Sequence, residues 1–171
     1  TSLPSGVSGS SLVLISEQTA SSSGTIDFTT GIDSTYKEYI FKFIDIHPAD
    51  NNFNLTFNMS VDSGSNYNVT KTTTQFRTSH SEDDSTTNLE YRSGQDLAQS
   101  TSFQPLIDSV GSDNDQVTVG TLTLFDPSST TFVKHFITTM NGSRHNDQST
   151  NTFTAGYGNT TSAVDAVQFK M

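Results

Sequence analysis

Between Phe53 and Val61 the chain alternates without a break. Phe53, Leu55, Phe57, Met59 and Val61 are apolar, and Asn54, Thr56, Asn58 and Ser60 between them are polar. A helix would scatter these five apolar side chains around its axis, whereas a strand sends alternate residues to opposite faces. The stretch therefore predicts a strand with one buried and one wet face. A strand with one buried face needs partners, and the rest of the chain offers them.

Tyr36 to Ile46 is the most apolar segment. Tyr39, Phe41 and Phe43 share one face, and Ile40, Ile44 and Ile46 share the other, interrupted by Lys42. A strand apolar on both faces is expected to be central or to lie at a subunit contact, so Tyr39, Phe41 and Phe43 form a candidate assembly strand. Leu12 to Ile15 is a short β-prone run, and Thr25 to Thr29 alternates. Asp62-Ser63-Gly64-Ser65-Asn66 predicts a tight hairpin turn with Gly64 at positive φ, followed by a returning strand through Tyr67, Val69 and 72–78.

Residues 81–116 are polar and poorly periodic. Phe103, Leu106, Ile107 and Val110 inside them fit one helical turn started by Pro105 or a bent strand equally well. Loops this long are usually functional or mobile, and a partner site is expected here. Regularity returns at Gln116–Phe125, with a bulge suggested at Gly120, and at Thr131–Met140, where Phe132, Phe136 and Met140 share a face. Asn141-Gly142 predicts a turn, and Thr152–Tyr157 and Ala166–Met171 complete the set. The expectation is an all-β chain of eight or nine strands, an antiparallel β-sandwich of jelly-roll type. It would comprise a flexible arm over 1–10 and a single domain over 11–171.

Composition narrows the function. Ser, Thr and Asn exceed a third of the chain, a mixture that can mean disorder, but twelve Phe and five Tyr argue for a folded β-protein with polar outer faces. The net charge is -10, and no two of the eight Lys and Arg are adjacent. Polyanionic nucleic acid and anionic membrane surfaces reward clustered cations, so neither is an expected partner. No apolar run approaches the roughly 18 residues of a membrane span. With no cysteine there is no disulfide, thiolate nucleophile or Cys-bound metal.

Catalytic signatures are missing. There is no Gly-x-Ser-x-Gly elbow, and His47, His80, His135 and His145 sit in unrelated contexts. Eighteen acids make some carboxylate pair inevitable, but none is marked out as a glycosidase pair, and there is no Trp to stack on sugar. The chain is expected to be non-enzymatic, with no cofactor. Two oxygen-rich segments, Glu82-Asp83-Asp84 and Asp113-Asn114-Asp115, raise the question of Ca²⁺, but neither has EF-hand spacing and both suit solvated acidic loops better. Glu82, Asp83, Asp84, Tyr91, Asp113 and Asp115 are the candidate partner or ligand residues. Tyr67, Tyr91 and Tyr157 lie near turns, where Tyr beside Asn and Asp can hold sugars. Closing the ends of the core is the simpler role for them.

YKEYIFKFIDIHPA (36–49), SVDSGSNYNVTKTTT (60–74), DLAQSTSFQPL (96–106), GTLTLFDPSSTTFVKHF (120–136) and TAGYGNTTSAVDAVQFKM (154–171) together resemble virion-associated proteins of tailed phages, especially marine phages of cyanobacteria and pelagic bacteria. The resemblance implies a structural module on the particle exterior, either a capsid decoration or a tail or fibre appendage. It implies docking to other virion proteins and self-association, with a trimer as one candidate state. Similar chains continue with a further strand, so after Met171 either a last strand that this sequence lacks or an open edge completed by a neighbour is expected. The alternative is a carbohydrate- or host-receptor-binding β-sandwich module.

Overall fold

The structure, a computed structural model, describes residues 12–171. The arm expected over 1–10 lies outside the described residues. Ten strands follow in order: β1 (Thr25–Phe28), β2 (Glu38–Ile46), β3 (Phe53–Ser60), β4 (Lys71–Ser81), β5 (Thr87–Tyr91), β6 (Gln104–Val110), β7 (Thr118–Phe125), β8 (Lys134–Arg144), β9 (Gln148–Gly158) and β10 (Ala166–Lys170). No helix occurs among the described residues, so none is long and apolar enough to cross a membrane. The all-β, antiparallel expectation holds, with ten strands in place of eight or nine.

All ten strands belong to one hydrogen-bonded network. Its connectivity has a narrow waist. β1-β10-β3-β6 forms one run, and β5-β4-β9-β8-β7-β2 forms another. The two runs are joined by a single residue pair, Val110 with Arg144. They also face one another. Phe57 on β3 meets Phe136 on β8 edge to face at 4.8 Å, and Phe43 on β2 meets Phe169 on β10 at 5.0 Å, although neither strand pair is hydrogen-bonded. This two-layer packing is consistent with the expected sandwich. The core it encloses is Leu55, Phe57 and Met59 of β3 with Leu106, Leu122, Leu124, Phe136, Met140, Val167 and Phe169. Each fully buried side chain of this kind contributes about 1.5–3 kcal/mol.

The alternation from Phe53 is what builds β3. Leu55, Phe57 and Met59 are buried, but Asn58 and Ser60 are buried too, because polar residues wait on their side. The turn after β3 has Ser63 at φ 58° and Gly64 at φ 82°, as expected. The hairpin does not form, because β4 crosses to the other layer and pairs with β9 and β5, while β3 pairs with β10 and β6.

Other expectations also need correction. Leu12, Val13, Leu14 and Ile15 form no strand and are exposed. The 103–110 segment is a strand, β6, and the long irregular region contains β5 as well. Asn141-Gly142 is not a turn but lies inside β8, and the chain reverses at His145–Asp147. The reason is packing: a Cβ on Gly142 would stand 2.4 Å from the Thr118 hydroxyl oxygen and 2.9 Å from Ile107 Cδ1. The glycine is there for close approach. Phe132 precedes β8 and is exposed. The bulge expected at Gly120 lies on the opposite strand. Phe43 pairs with Gly120 and Ile46 with Thr118, so β2 carries the extra residue, with Asp45 at φ 50°.

Among the described residues β2 pairs with β7 alone, which makes it an edge strand and not a central one. β10 is flanked by β1 and β3, so the C-terminal strand presents no open edge.

Candidate interaction face

β4 reads Lys71-Thr-Thr-Thr-Gln-Phe-Arg-Thr, and its pattern is inverted. Lys71, Thr73, Gln75 and Arg77 are buried, while Thr74 and Phe76 are exposed. The inversion is stable because each inward residue finds a polar partner across the layer. Lys71 Nζ donates to Asn58 Oδ1 at 2.5 Å and to the Val69 carbonyl at 2.9 Å. Thr73 donates to Gln104 Oε1 at 2.6 Å, and Gln75 Nε2 donates to the Pro105 carbonyl at 2.7 Å. Arg77 clasps both oxygens of Asp108 at 2.8 and 3.0 Å. Buried polar groups that are satisfied in this way cost little, whereas an unmatched one costs about 1–3 kcal/mol.

The last of these pairs is the hub of a larger cluster that takes in all three arginines of the chain. Arg92 donates to Asp108 at 2.8 Å and to Glu90 at 2.9 Å, and Arg77 also reaches Glu90 at 2.5 Å. Arg144 stands 3.8 Å from Asp108. Burial, and then the neighbouring Arg77 guanidinium, hold Arg144 below the usual arginine range. Three cations on two anions give the cluster a formal charge of +1, so Asp108 is its indispensable member.

With polar groups turned inward, apolar ones turn outward. Across β5, β4 and β9 the register aligns Tyr91, Phe76 and Phe153 in one row. Phe76 and Phe153 stack with centroids 4.8 Å apart and planes 14° apart, standing side by side as a ridge. The next row aligns Thr74, Ala155, Ile137, Thr123 and Ile40. The row beyond it contains Thr72, Tyr157 and His135, with the Tyr157 and His135 rings 5.7 Å apart. Thr72, Thr74, His135, Ile137, Ala155 and Tyr157 surround a shallow hollow beside the ridge.

The strand positions of this outer face are free of Asp, Glu, Lys and Arg from β5 through β7, and carboxylates reach it only at its margin, where Asp84 meets His80 and Asp96 meets Tyr91. Its outward positions are Thr87, Leu89 and Tyr91 on β5, and Thr72, Thr74, Phe76, Thr78 and His80 on β4. β9 adds Ser149 to Tyr157 at every second residue, β8 adds His135 to Ser143 likewise, and β7 adds Val119, Thr121 and Thr123. None is Asp, Glu, Lys or Arg, in a chain with eighteen acids. Leu89 is 70% exposed, Ile137 54% and Phe76 44%. Neutral surface with exposed aromatics is what separates the centre of a protein interface from ordinary surface.

The residues singled out from sequence fall in three places. Tyr91 is on the outer face, 56% exposed, with its hydroxyl donating to Asp96 at 2.6 Å. Tyr157 is there too, so neither closes the end of the core. Tyr39, Phe41 and Phe43 point inward: Tyr39 and Phe43 are buried, and Phe41 packs on Phe28 and Phe169. These three rings pack into the core, Phe41 half-buried, and the outward residues of β2 are Ile40, Lys42 and Ile44.

The acidic segments lie at one end of the molecule. Glu82, Asp83 and Asp84 form the β4–β5 turn, and Asp113 and Asp115 lie in the β6–β7 loop. Asp147 of the β8–β9 turn links the two, its carbonyl accepting from Glu82 N at 3.0 Å and its carboxylate from Gln116 at 3.2 Å. Their carboxylates do not converge. The Ser85 hydroxyl, and then the Ser85 N–H that donates to Asp83, hold the Asp83 carboxyl below the usual range, and Asp84 meets His80 at 2.9 Å. Among the described residues no group of three His, Cys, Asp or Glu could hold a metal. Millimolar calcium is accordingly expected to leave the melting temperature unchanged in differential scanning fluorimetry. A rise of several degrees would assign a Ca²⁺ role to these loops.

Compared with protein families, curated proteins and solved structures, the chain matches none of them.

Proposed function

We propose that this chain is a non-enzymatic structural protein of a tailed-phage virion, displayed on the particle exterior as a capsid decoration or a tail or fibre appendage. It acts by docking to other virion proteins and by self-association. The observation that carries the docking part is the uncharged outer face with its Phe76–Phe153 ridge. The placement on a virion rests on the resemblance of segments 36–49, 60–74, 96–106, 120–136 and 154–171. The acidity of the remaining surface supports an outward location, since a DNA-facing surface gains from being basic.

Carbohydrate or receptor binding is the weaker reading. Sugar rings stack on a free aromatic face, and Phe76 and Phe153 occupy each other's faces. On this face Tyr91 and Tyr157 are left for such a role.

The purified chain, added to tailed-phage particles stripped of it, is expected to rebind at the exterior and to be visible there by electron microscopy. Saturable binding to a glycan array with no rebinding to particles would instead establish the carbohydrate reading.

A further inference from the structure

We infer that the outer face is a two-fold interface between two copies of this chain, with the Phe76–Phe153 ridge of each copy seated in the hollow over Ala155 of the other. The inference rests on the docking reading above and names the partner of that same face.

Three observations select a second copy as the occupant. The first is shape. A ridge and a hollow lie in adjacent rows of one face, about 7 Å apart along the strands. A two-fold axis between them, near Ile137, brings each ridge onto the opposite hollow. An isologous contact requires this self-complementarity, and a single surface that meets an unrelated partner does not. The second is size. Five strands spaced about 4.8 Å, each contributing up to about 35 Å of length, give a face of roughly 700–800 Å². A standard stable interface covers about 800 Å² per partner. The third is charge. Each copy carries -10, so two copies repel wherever their ordinary surfaces meet. The centre of this face, whose outward strand positions carry no Asp or Glu, is where two like-charged bodies can approach without burying repelling groups. A partner of opposite charge would find no ion to pair with over the ridge and hollow at the centre of the face, where the outward strand positions are uncharged.

The test uses the full chain and substitutions at Ile137, which is exposed, so that folding is spared. Sedimentation equilibrium of the wild type is expected to show a dimer at micromolar concentration. Ile137→Lys and Ile137→Asp, each with wild-type circular dichroism and melting temperature, are expected to be monomeric alone. Mixed in equal amounts they are expected to form a heterodimer, because the axis then places opposite charges together. A wild type that stays monomeric at hundreds of micromolar overturns the inference, as does a dimer indifferent to both substitutions. If the wild type is monomeric and Ile137→Lys still abolishes rebinding to particles, the homodimer is overturned while the docking reading stands.

Discussion

Replacing Asp108 by asparagine is expected to lower the unfolding free energy by about 3–5 kcal/mol, a large share of a small domain's total. The substitution keeps the shape and removes the charge. It leaves Arg77, Arg92 and Arg144 around one remaining carboxylate, that of Glu90. Asp108 and Arg77 are each only 7% exposed at the side chain, so solvent and salt screen their pairing little. Urea unfolding is the measurement: the midpoint should fall with the slope unchanged, which separates lost stability from a change in the unfolded state. Arg144→Gln should cost clearly less, because its contact with Asp108 is the longest of the cluster. Equal effects from the two substitutions would mean that the charges do not act through Asp108.

The second large effect is a pH dependence set by Lys71. Its side chain is fully buried, and its polar neighbours, Asn58 and the Val69 carbonyl, bring no counter-charge. Burial lowers its pKa to about 7. In the unfolded chain the value returns to about 10.4. Below pH 7 the amine is protonated in both states, and the folded state bears the full cost of a buried cation. Between those two values the unfolded chain binds more protons than the folded one, so stability rises with pH. The rise from this group is roughly 3 kcal/mol between pH 7 and 10. Lys134, also buried, is lowered by the same cause and adds in the same direction. Burial, followed by the nearby Asp27 carboxylate, raises Tyr67, which works the opposite way above pH 10, so the informative window ends there. Lys71→Met should flatten the wild-type profile over pH 7–9.5 in parallel urea titrations. A wild-type profile already flat in that window would show the amine to be protonated and paired in the folded state.

The sequence was informative where a strand obeyed the usual division of labour. In β3, Leu55, Phe57 and Met59 alternate into an apolar core, and the period alone locates the strand. In β2, Tyr39 and Phe43 share the buried face, but a strand apolar on both sides does not reveal from its period which face is buried. β4 was opaque for a different reason. Its inward residues are polar and its exposed residue is Phe76, and only the partners from β3 and β6, far away in the chain, make that arrangement favourable. The interaction face inherits the same opacity. Its residues are contributed by five strands, and although β7 and β9 are free of charge along their whole length, only the register that sets them beside the outward positions of β4, β5 and β8 shows that the face as a whole lacks charged residues. Asn141-Gly142 illustrates a local signal overruled, since the turn it favours was set aside for the space the glycine leaves beneath Thr118.

The side-chain contacts between β4 and β6 have a further consequence. Oily layers can slide on one another at little cost, which leaves a chain poor in large apolar residues with several near-equal alignments. Here three unlike pairs stand at every second residue: hydroxyl with amide, amide with carbonyl, guanidinium with carboxylate. Shifting β6 by two residues, about 7 Å, would set Arg77 against Leu106 or Val110 and strand a charge against hydrocarbon. The sequence of unlike pairs therefore acts as a vernier that admits one setting, and uniqueness of alignment does not depend on the amount of grease.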